Sequence, residues 1–248
     1  MLGLVTPYNI GSTPGKTIQI PKYPSIAAAA LTEGTDMSST TVSTSSVTVT
    51  IAEVGAQVLL TDLARDGHGN PAIELGTVLG SAIAKKMDQD LLALFDGFST
   101  SLGSAGTEIT VADIFKAVAI LQNNNAPGSL AAVIHPYTAY QLKANLTNTF
   151  ANPNGGDAQN EAMRSSFVGS LGGVDIYQSS NLTVDGNDDV KGAVFSREAL
   201  AIALKRDFQI ETQRDASLRA TELNATAVYG VGELDDTYGV ELFFDAAV

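Results

Sequence analysis

The clearest hydrophobic pattern of the chain lies between residues 70 and 98. Apolar side chains recur there at steps of three and four residues, at Leu75, Leu79, Ile83, Met87, Leu91, Leu94 and Phe98. This spacing aligns them on one face of a helix, and Asn70 followed by Pro71 suits the helix start. The pattern predicts a helix about 40 Å long, at a rise of ~1.5 Å per residue. Its solvent face is predicted to carry Lys85, Lys86, Asp88, Gln89 and Asp90.

The first 66 residues follow a different, extended pattern. Residues 1–24 are rich in proline, and because proline removes a backbone donor, an extended arm is predicted there. Further on, Val47, Val49 and Ile51 alternate with threonine, which is typical of a strand with one apolar face. We predict two long antiparallel strands within residues 25–66, joined by a polar turn. A lone hairpin is marginal in water, and no other part of the chain obviously supplies a partner, so this element is expected to need a neighbour.

The remainder of the chain mixes helices and strands. A helix is predicted from Thr110 or Asp113, a buried strand over residues 130–134, and a further helix from Pro136 to Leu146. The side chains expected to face the core of the two helices are Val111, Ile114, Phe115, Val118, Leu121, Tyr140 and Leu142. The polar residues 147–165 predict a mobile loop. Short alternating strands follow from residue 166 onward, so the fold class is α+β.

Composition removes several functional classes. The 248 residues carry a formal charge of -13, which argues against a general nucleic-acid binder, and they include no cysteine, which excludes disulfides and thiolate catalysis. No apolar run approaches the roughly 20 residues of a membrane span. His68 and His135 could act as a base or as ligands only if the fold united them. Residues 185–189 are read as a hairpin turn rather than a calcium loop. We therefore predict no cofactor, no metal and no catalytic residue.

Three stretches carry a resemblance to a known family. The stretch from Glu74 to Leu92 looks like the long spine helix of tailed-bacteriophage major capsid proteins, and Thr61-Asp62-Leu63-Ala64 is similar to the end of their extended loop. Gly172 to Ser179 resembles a strand of their axial domain. The resemblance implies the Hong Kong 97-type capsid fold. Its implied parts are an N-terminal arm (1–24), an extended loop (25–66), the spine helix with the first part of the peripheral domain (67–135), the axial domain (136–200) and closing strands of the peripheral domain (201–248).

The resemblance also implies a function. Copies of the chain would form the pentamers and hexamers of an icosahedral phage head in the virion, assembled in the host cytoplasm and enclosing double-stranded DNA without sequence-specific binding. A separate scaffolding protein, a portal and a decoration protein are expected partners, and no membrane is expected to be involved. The residues expected to contact neighbouring subunits are Ile18, Ile20, Val47, Val49, Ile51, Glu33 and Asp36. Residues 25–65 contain no lysine, so a noncovalent shell is predicted.

Three alternatives remain open from the sequence. An encapsulin-like compartment shell would share the fold and carry a cargo-peptide pocket on its inner surface. Another self-assembling protein, such as a surface-layer or tail-tube subunit, would share the acidic, Ser/Thr-rich composition. A soluble enzyme using His68 or His135 would need a buried pocket around one of them.

Overall fold

The computed structural model describes residues 1–11, 14–24, 41–68, 72–150 and 170–247, together with residues 26, 28, 30–34, 36, 37 and 39. Its helices are α1 (Asp62–His68), α2 (Ala72–Leu92), α3 (Val111–Asn123) and α4 (Pro136–Phe150). Its strands are β1 (Thr6–Asn9), β2 (Thr17–Lys22), β3 (Ser45–Thr50), β4 (Ala52–Thr61), β5 (Ser101–Gly103), β6 (Leu130–Ile134), β7 (Ser170–Leu171), β8 (Val174–Gln178), β9 (Asp189–Ser196), β10 (Leu200–Asp215), β11 (Ala220–Glu233) and β12 (Gly239–Asp245).

The long predicted helix is confirmed as α2, which continues into a 3₁₀ turn over Ala93–Gly97. Its stripe faces the core, with Leu79, Ile83 and Leu91 buried. The predicted start at residues 70 and 71 lies outside the described residues. Part of the predicted solvent face is wrong. Asp90 accepts a hydrogen bond from the Tyr229 hydroxyl at 2.7 Å, and Asp88 accepts one from the Asn181 side chain at 2.8 Å.

A four-stranded sheet in the order β1-β10-β11-β4 covers α2. Its centre is the long antiparallel hairpin of β10 and β11. At the far end of this hairpin, both guanidinium nitrogens of Arg214 donate to the two carboxylate oxygens of Asp62 at 2.7 Å. The charge of Arg214 lowers the pKa of Asp62, chiefly through these hydrogen bonds. The start of α1 is thereby tied to the tip of the hairpin.

A six-stranded sheet in the order β5-β12-β9-β6-β8-β7 forms a second core with α3 and α4. The predicted strand over residues 130–134 and the start of α3 are confirmed, with a capping box between Thr110 and Asp113. Two predicted core residues are wrong, because Phe115 and Tyr140 are 47% and 59% exposed. Most of the predicted loop 147–165 lies outside the described residues, and its first four residues continue α4.

The sheets group the chain differently from the predicted domains. The strand β12, placed by prediction in the peripheral domain, pairs with β9 and β5 inside the six-stranded sheet. The strand β6 and helix α3, placed before the predicted boundary at residue 135, share that core. A hydrophobic cluster unites these elements because each buries its apolar face against the same sheet.

The predicted hairpin has a different first strand, because β3 lies within residues 25–66 whereas its partner β2 lies before them. The strand β3 pairs with β2, and β4 pairs with β11, each in antiparallel register. Only Ile51 separates β3 from β4, which is too short a connection for a chain reversal. The expectation that the chain supplies no partner for this region is therefore wrong, since segments distant in sequence supply both.

Candidate assembly surfaces

Four small residues form a flat patch on one face of the β10–β11 hairpin. Ala201 pairs with Gly232 and Ala203 pairs with Gly230 in the strand register. We call these four residues the small-residue shelf. A Cβ atom at Gly230 would lie 2.3 Å from the Thr50 carbonyl oxygen, and one at Gly232 would lie 2.7 Å from a Val49 methyl group. Glycine is therefore required for β3 to approach β11 this closely.

The two-stranded β2–β3 sheet lies on this shelf. Ile20 and Val49 are buried against Ala201 and Ala203, with Ile18 partly buried beside them. We call this two-stranded sheet, with Ile51 directly after it, the base. It contains the five apolar residues predicted to contact neighbouring subunits, which are Ile18, Ile20, Val47, Val49 and Ile51. Glu33 and Asp36 are exposed and lie outside regular secondary structure.

An ion pair fixes the outer end of β2. The Lys22 ammonium lies 2.7 Å from the Asp235 carboxylate, whose side chain is 14% exposed. Burial alone would raise the pKa of Asp235, but hydrogen bonds from Lys22 and Thr237 outweigh it and hold the pKa below its usual value. Nearby, burial and the charges of Asp236 and Asp235 raise the pKa of Glu233. The ion pair and these acidic residues connect β2 to the end of β11. We call Lys22, Glu233, Asp235 and Asp236 the charged clamp.

Beyond the clamp, residues 23–44 have no helix or strand among their described members. We call residues 23–44 the exposed segment. Its large apolar side chains that the structure describes face solvent, with Met37 at 75% and Tyr23 at 69%, and the others are Ile26, Leu31 and Val42. A set of apolar side chains this concentrated marks a surface used for association.

The two histidines lie in different parts of the fold. His135 follows β6 in the six-stranded sheet, whereas His68 ends α1 beside the four-stranded sheet. The residue His135 is 8% exposed. Its imidazole accepts a hydrogen bond from the Tyr137 backbone N–H at 3.3 Å, and its carbonyl accepts one from the Thr138 hydroxyl. Burial lowers the pKa of His135. These contacts give it a structural place at the start of α4.

The acidic residues 185–189 form a turn. Asp185 accepts hydrogen bonds from the N–H groups of Asn187 and Asp189, which confirms the predicted hairpin turn. Within the described residues, no group of three or more acidic or histidine side chains could hold a metal ion. No helix of the described ranges is both long and apolar enough to cross a bilayer.

Comparisons with known protein families and solved structures agree with the architecture described above. A family model described as phage capsid protein matches residues 25–241. The capsid of the cyanophage P-SCSP1u superposes with a TM-score of 0.75 at 20% identity, over 98% of this chain and 87% of that one. The head of the Helicobacter pylori bacteriophage KHP40 gives 0.76 at 13% identity, over 98% and 88%. The SrpI encapsulin of Synechococcus elongatus gives 0.73 at 11% identity, over 100% and 88%. No curated protein matches the sequence. The expected α+β capsid architecture is thereby confirmed.

Proposed function

Because the chain belongs to the phage capsid protein family, it is a structural subunit of a phage capsid rather than an enzyme, and we propose that its copies form pentamers and hexamers that close an icosahedral shell around double-stranded DNA. The partners beyond the chain itself are a separate scaffolding protein, a portal and a decoration protein. Assembly takes place in the host cytoplasm. The DNA is enclosed without sequence-specific binding, in keeping with a subunit charge of -13.

The observation that carries this proposal is the exposed segment. Its apolar side chains find no cover within the described residues, although the β2–β3 base from which it projects is firmly packed. Leaving them in water forgoes about 25 cal/mol per Å² of apolar surface, which contact with another subunit recovers. Of the residues predicted to meet neighbours, Glu33 and Asp36 lie in this segment, and we assign them to the contact. The five apolar residues at the base act by fixing the direction in which the segment projects.

A compartment shell is the second candidate, because an encapsulin superposes on the whole chain. The two candidates differ in content rather than in subunit shape. Purified particles that carry double-stranded DNA support the phage head, whereas particles that carry a co-purifying enzyme and no DNA support the compartment.

The proposal is tested by replacing two exposed apolar residues with polar ones. The variant Leu31→Ser/Met37→Ser is expected to remain a folded subunit by circular dichroism, since neither side chain is buried, and to yield no closed particles by negative-stain microscopy. The control Leu31→Met/Met37→Leu keeps the apolar surface and is expected to assemble like the unmodified chain. Normal particles from the serine variant would show that the apolar side chains of the exposed segment are not needed for assembly.

A further inference from the structure

We propose that His135 is an acid-sensitive cap of helix α4, which holds the first turn of the helix at neutral pH and releases it when the imidazole is protonated. The proposal concerns the folded subunit itself and goes beyond the shell-forming function. Helix α4 begins at Pro136, directly after the residue that follows β6. The first backbone N–H groups of a helix have no partner inside it, so a side chain that accepts from one of them stabilises the helix start.

Backbone and side-chain contacts together place His135 at the N-cap position. Its carbonyl accepts the first bond of the helix from the Ala139 N–H at 2.9 Å, and it also accepts from the Thr138 hydroxyl at 2.9 Å. Its side chain accepts from the backbone N–H of Tyr137, with 3.3 Å between that nitrogen and Nδ1. Pro136 takes the first helical position, where it has no N–H to satisfy. The imidazole therefore takes the place that a Ser, Thr, Asn or Asp side chain usually has.

Only an unprotonated Nδ1 can accept this hydrogen bond. The neutral ring that accepts through Nδ1 carries its proton on Nε2, whereas an imidazolium is a donor at both nitrogens. Protonation of His135 therefore removes the cap. It also places a positive charge at the positive end of the helix dipole, where cations are destabilising, and this effect falls off within the first turn. Both consequences of protonation loosen the same turn.

Burial keeps the imidazole neutral in ordinary conditions. His135 is 8% exposed, and this burial lowers the pKa of the ring because a poorly solvated setting disfavours the charged form. Among the described residues, no carboxylate adds an opposing effect. The ring that contacts the imidazole is that of Tyr137, which meets it edge-on with 4.9 Å between the ring centres. The cap is therefore stable at neutral pH and opens only in acid.

The charged groups on the elements around His135 have partners of their own. The strands beside β6 are β8 and β9, and the end of β8 that lies beside the end of β6 is uncharged. On β9, the ammonium of Lys191 is held by the carboxylates of Asp96 and Glu241. On α2, Asp88 is bound by the N-terminal ammonium at 3.0 Å. A proton on His135 therefore gains no ion pair from these groups in this arrangement.

Acid is expected to change the outer surface of α4 and to leave its packing face in place. Tyr137 and Tyr140, in the first and second turns, are 50% and 59% exposed. Leu142 is fully buried in the second core, so it holds the helix while the first turn loosens. The pH of the surroundings would thus act on a tyrosine-bearing surface turn without unfolding the subunit.

Two substitutions separate capping from titration. Asparagine is a strong N-cap residue that does not titrate, so His135→Asn should keep the cap at every pH, whereas His135→Ala removes it at every pH. In urea titrations at pH 7.5, His135→Ala should be the less stable of the two. From pH 7.5 to pH 5.0, the folding equilibrium constant of the unmodified subunit should fall relative to that of His135→Asn by up to about thirtyfold. This is the factor by which an unfolded histidine of pKa ~6.5 takes up protons at pH 5.0.

Amide hydrogen exchange gives the local readout that burial of a histidine alone would not move. As the pH is lowered to 4.5, the Tyr137 and Ala139 amides of the unmodified subunit should exchange faster than those of His135→Asn at the same pH. Amides of β6 and of the second half of α4 should exchange equally in both. The imidazole nitrogen signals of the unmodified subunit should show the change from the Nε2–H form to the doubly protonated form over the same pH range.

Equal exchange of the first-turn amides in the two chains down to pH 4.5 would overturn the proposal. So would a His135→Asn variant that is no more stable than His135→Ala at pH 7.5, or a neutral ring with its proton on Nδ1. These measurements use soluble subunits and need no particles, so their outcome is independent of the shell-forming function.

Discussion

The contact between Val49 and the small-residue shelf can be tested by adding a methyl group on the shelf and removing methyl groups from Val49. The Gly232→Ala variant places a methyl group 2.7 Å from a Val49 methyl group, well inside van der Waals contact. The Val49→Ala variant removes that methyl group and opens a gap at a residue that is 1% exposed. If β3 docks on β11 as the structure has it, the two changes compensate each other.

The expected magnitudes follow from the groups that are moved. Overpacking by one methyl group costs about 1–3 kcal/mol, from which the lower entropy of the unfolded alanine chain subtracts about 0.4–1 kcal/mol. The Val49→Ala variant loses two methyl groups at about 0.8 kcal/mol each plus a cavity term, so about 2–3 kcal/mol. Independent effects would sum to about 2–6 kcal/mol, whereas filling the gap with the new methyl group should lower the double variant's cost by about 1–2 kcal/mol.

The free energy of unfolding of soluble subunits, measured by urea denaturation, gives the coupling. Gly230→Ala provides the control, because its methyl group would lie 2.3 Å from the Thr50 backbone oxygen. Truncating Val49 removes a methyl group that would lie 3.1 Å from the new one but leaves the backbone oxygen in place, so the closest clash should remain. Additivity of Gly232→Ala and Val49→Ala within about 0.5 kcal/mol, or an equal rescue of Gly230→Ala, would refute the docking of β3 on the shelf.

Three further outcomes are expected. Tyr229→Phe should lower the unfolding free energy by about 1.5 kcal/mol in urea titrations, because the hydroxyl's hydrogen bond to the Asp90 carboxylate is lost; an unchanged midpoint would contradict this. Glu233→Gln should raise the melting temperature at pH 7, and the gain should shrink as pH falls. A raised folded pKa means that the unmodified subunit gains stability when Glu233 is protonated, so a gain that grows in acid would be the wrong sign. Mature particles should run as monomers on denaturing gels, since residues 25–65 contain no lysine, and a ladder of covalent multimers would contradict it.

The sequence predicted those elements whose partners follow from local periodicity. Helix α2 and the start of α3 were predictable because their apolar stripes and the Thr110–Asp113 capping box are local signals. Phe115 sits at a stripe position of α3 and is nevertheless exposed, with its ring lying over the turn at Gly172. Periodicity gives the face of a helix, but the width of the buried stripe depends on what the helix packs against.

The pairing of residues 45–61 was not predictable, because its partners are about 30 and 170 residues away in sequence. One signal did exist. From Leu200 to Leu204, large and small apolar residues alternate, as they do from Tyr229 to Gly232. The large residues face α2 and the small ones face β3. Such alternation indicates a sheet buried on both faces, one of them by a close backbone layer.

This two-sided burial bears directly on assembly. Association must offset the conformational entropy of every group that it orders, and a freely hinged extended region would add its whole length to that cost. Here the shelf, the buried Val49 and the ion pair of Lys22 with Asp235 order the base of the region inside each subunit. Only the exposed segment remains to be ordered at the contact. A variant that loosens the base while leaving the segment's sequence intact should therefore weaken assembly, because each contact would then have to order the base as well.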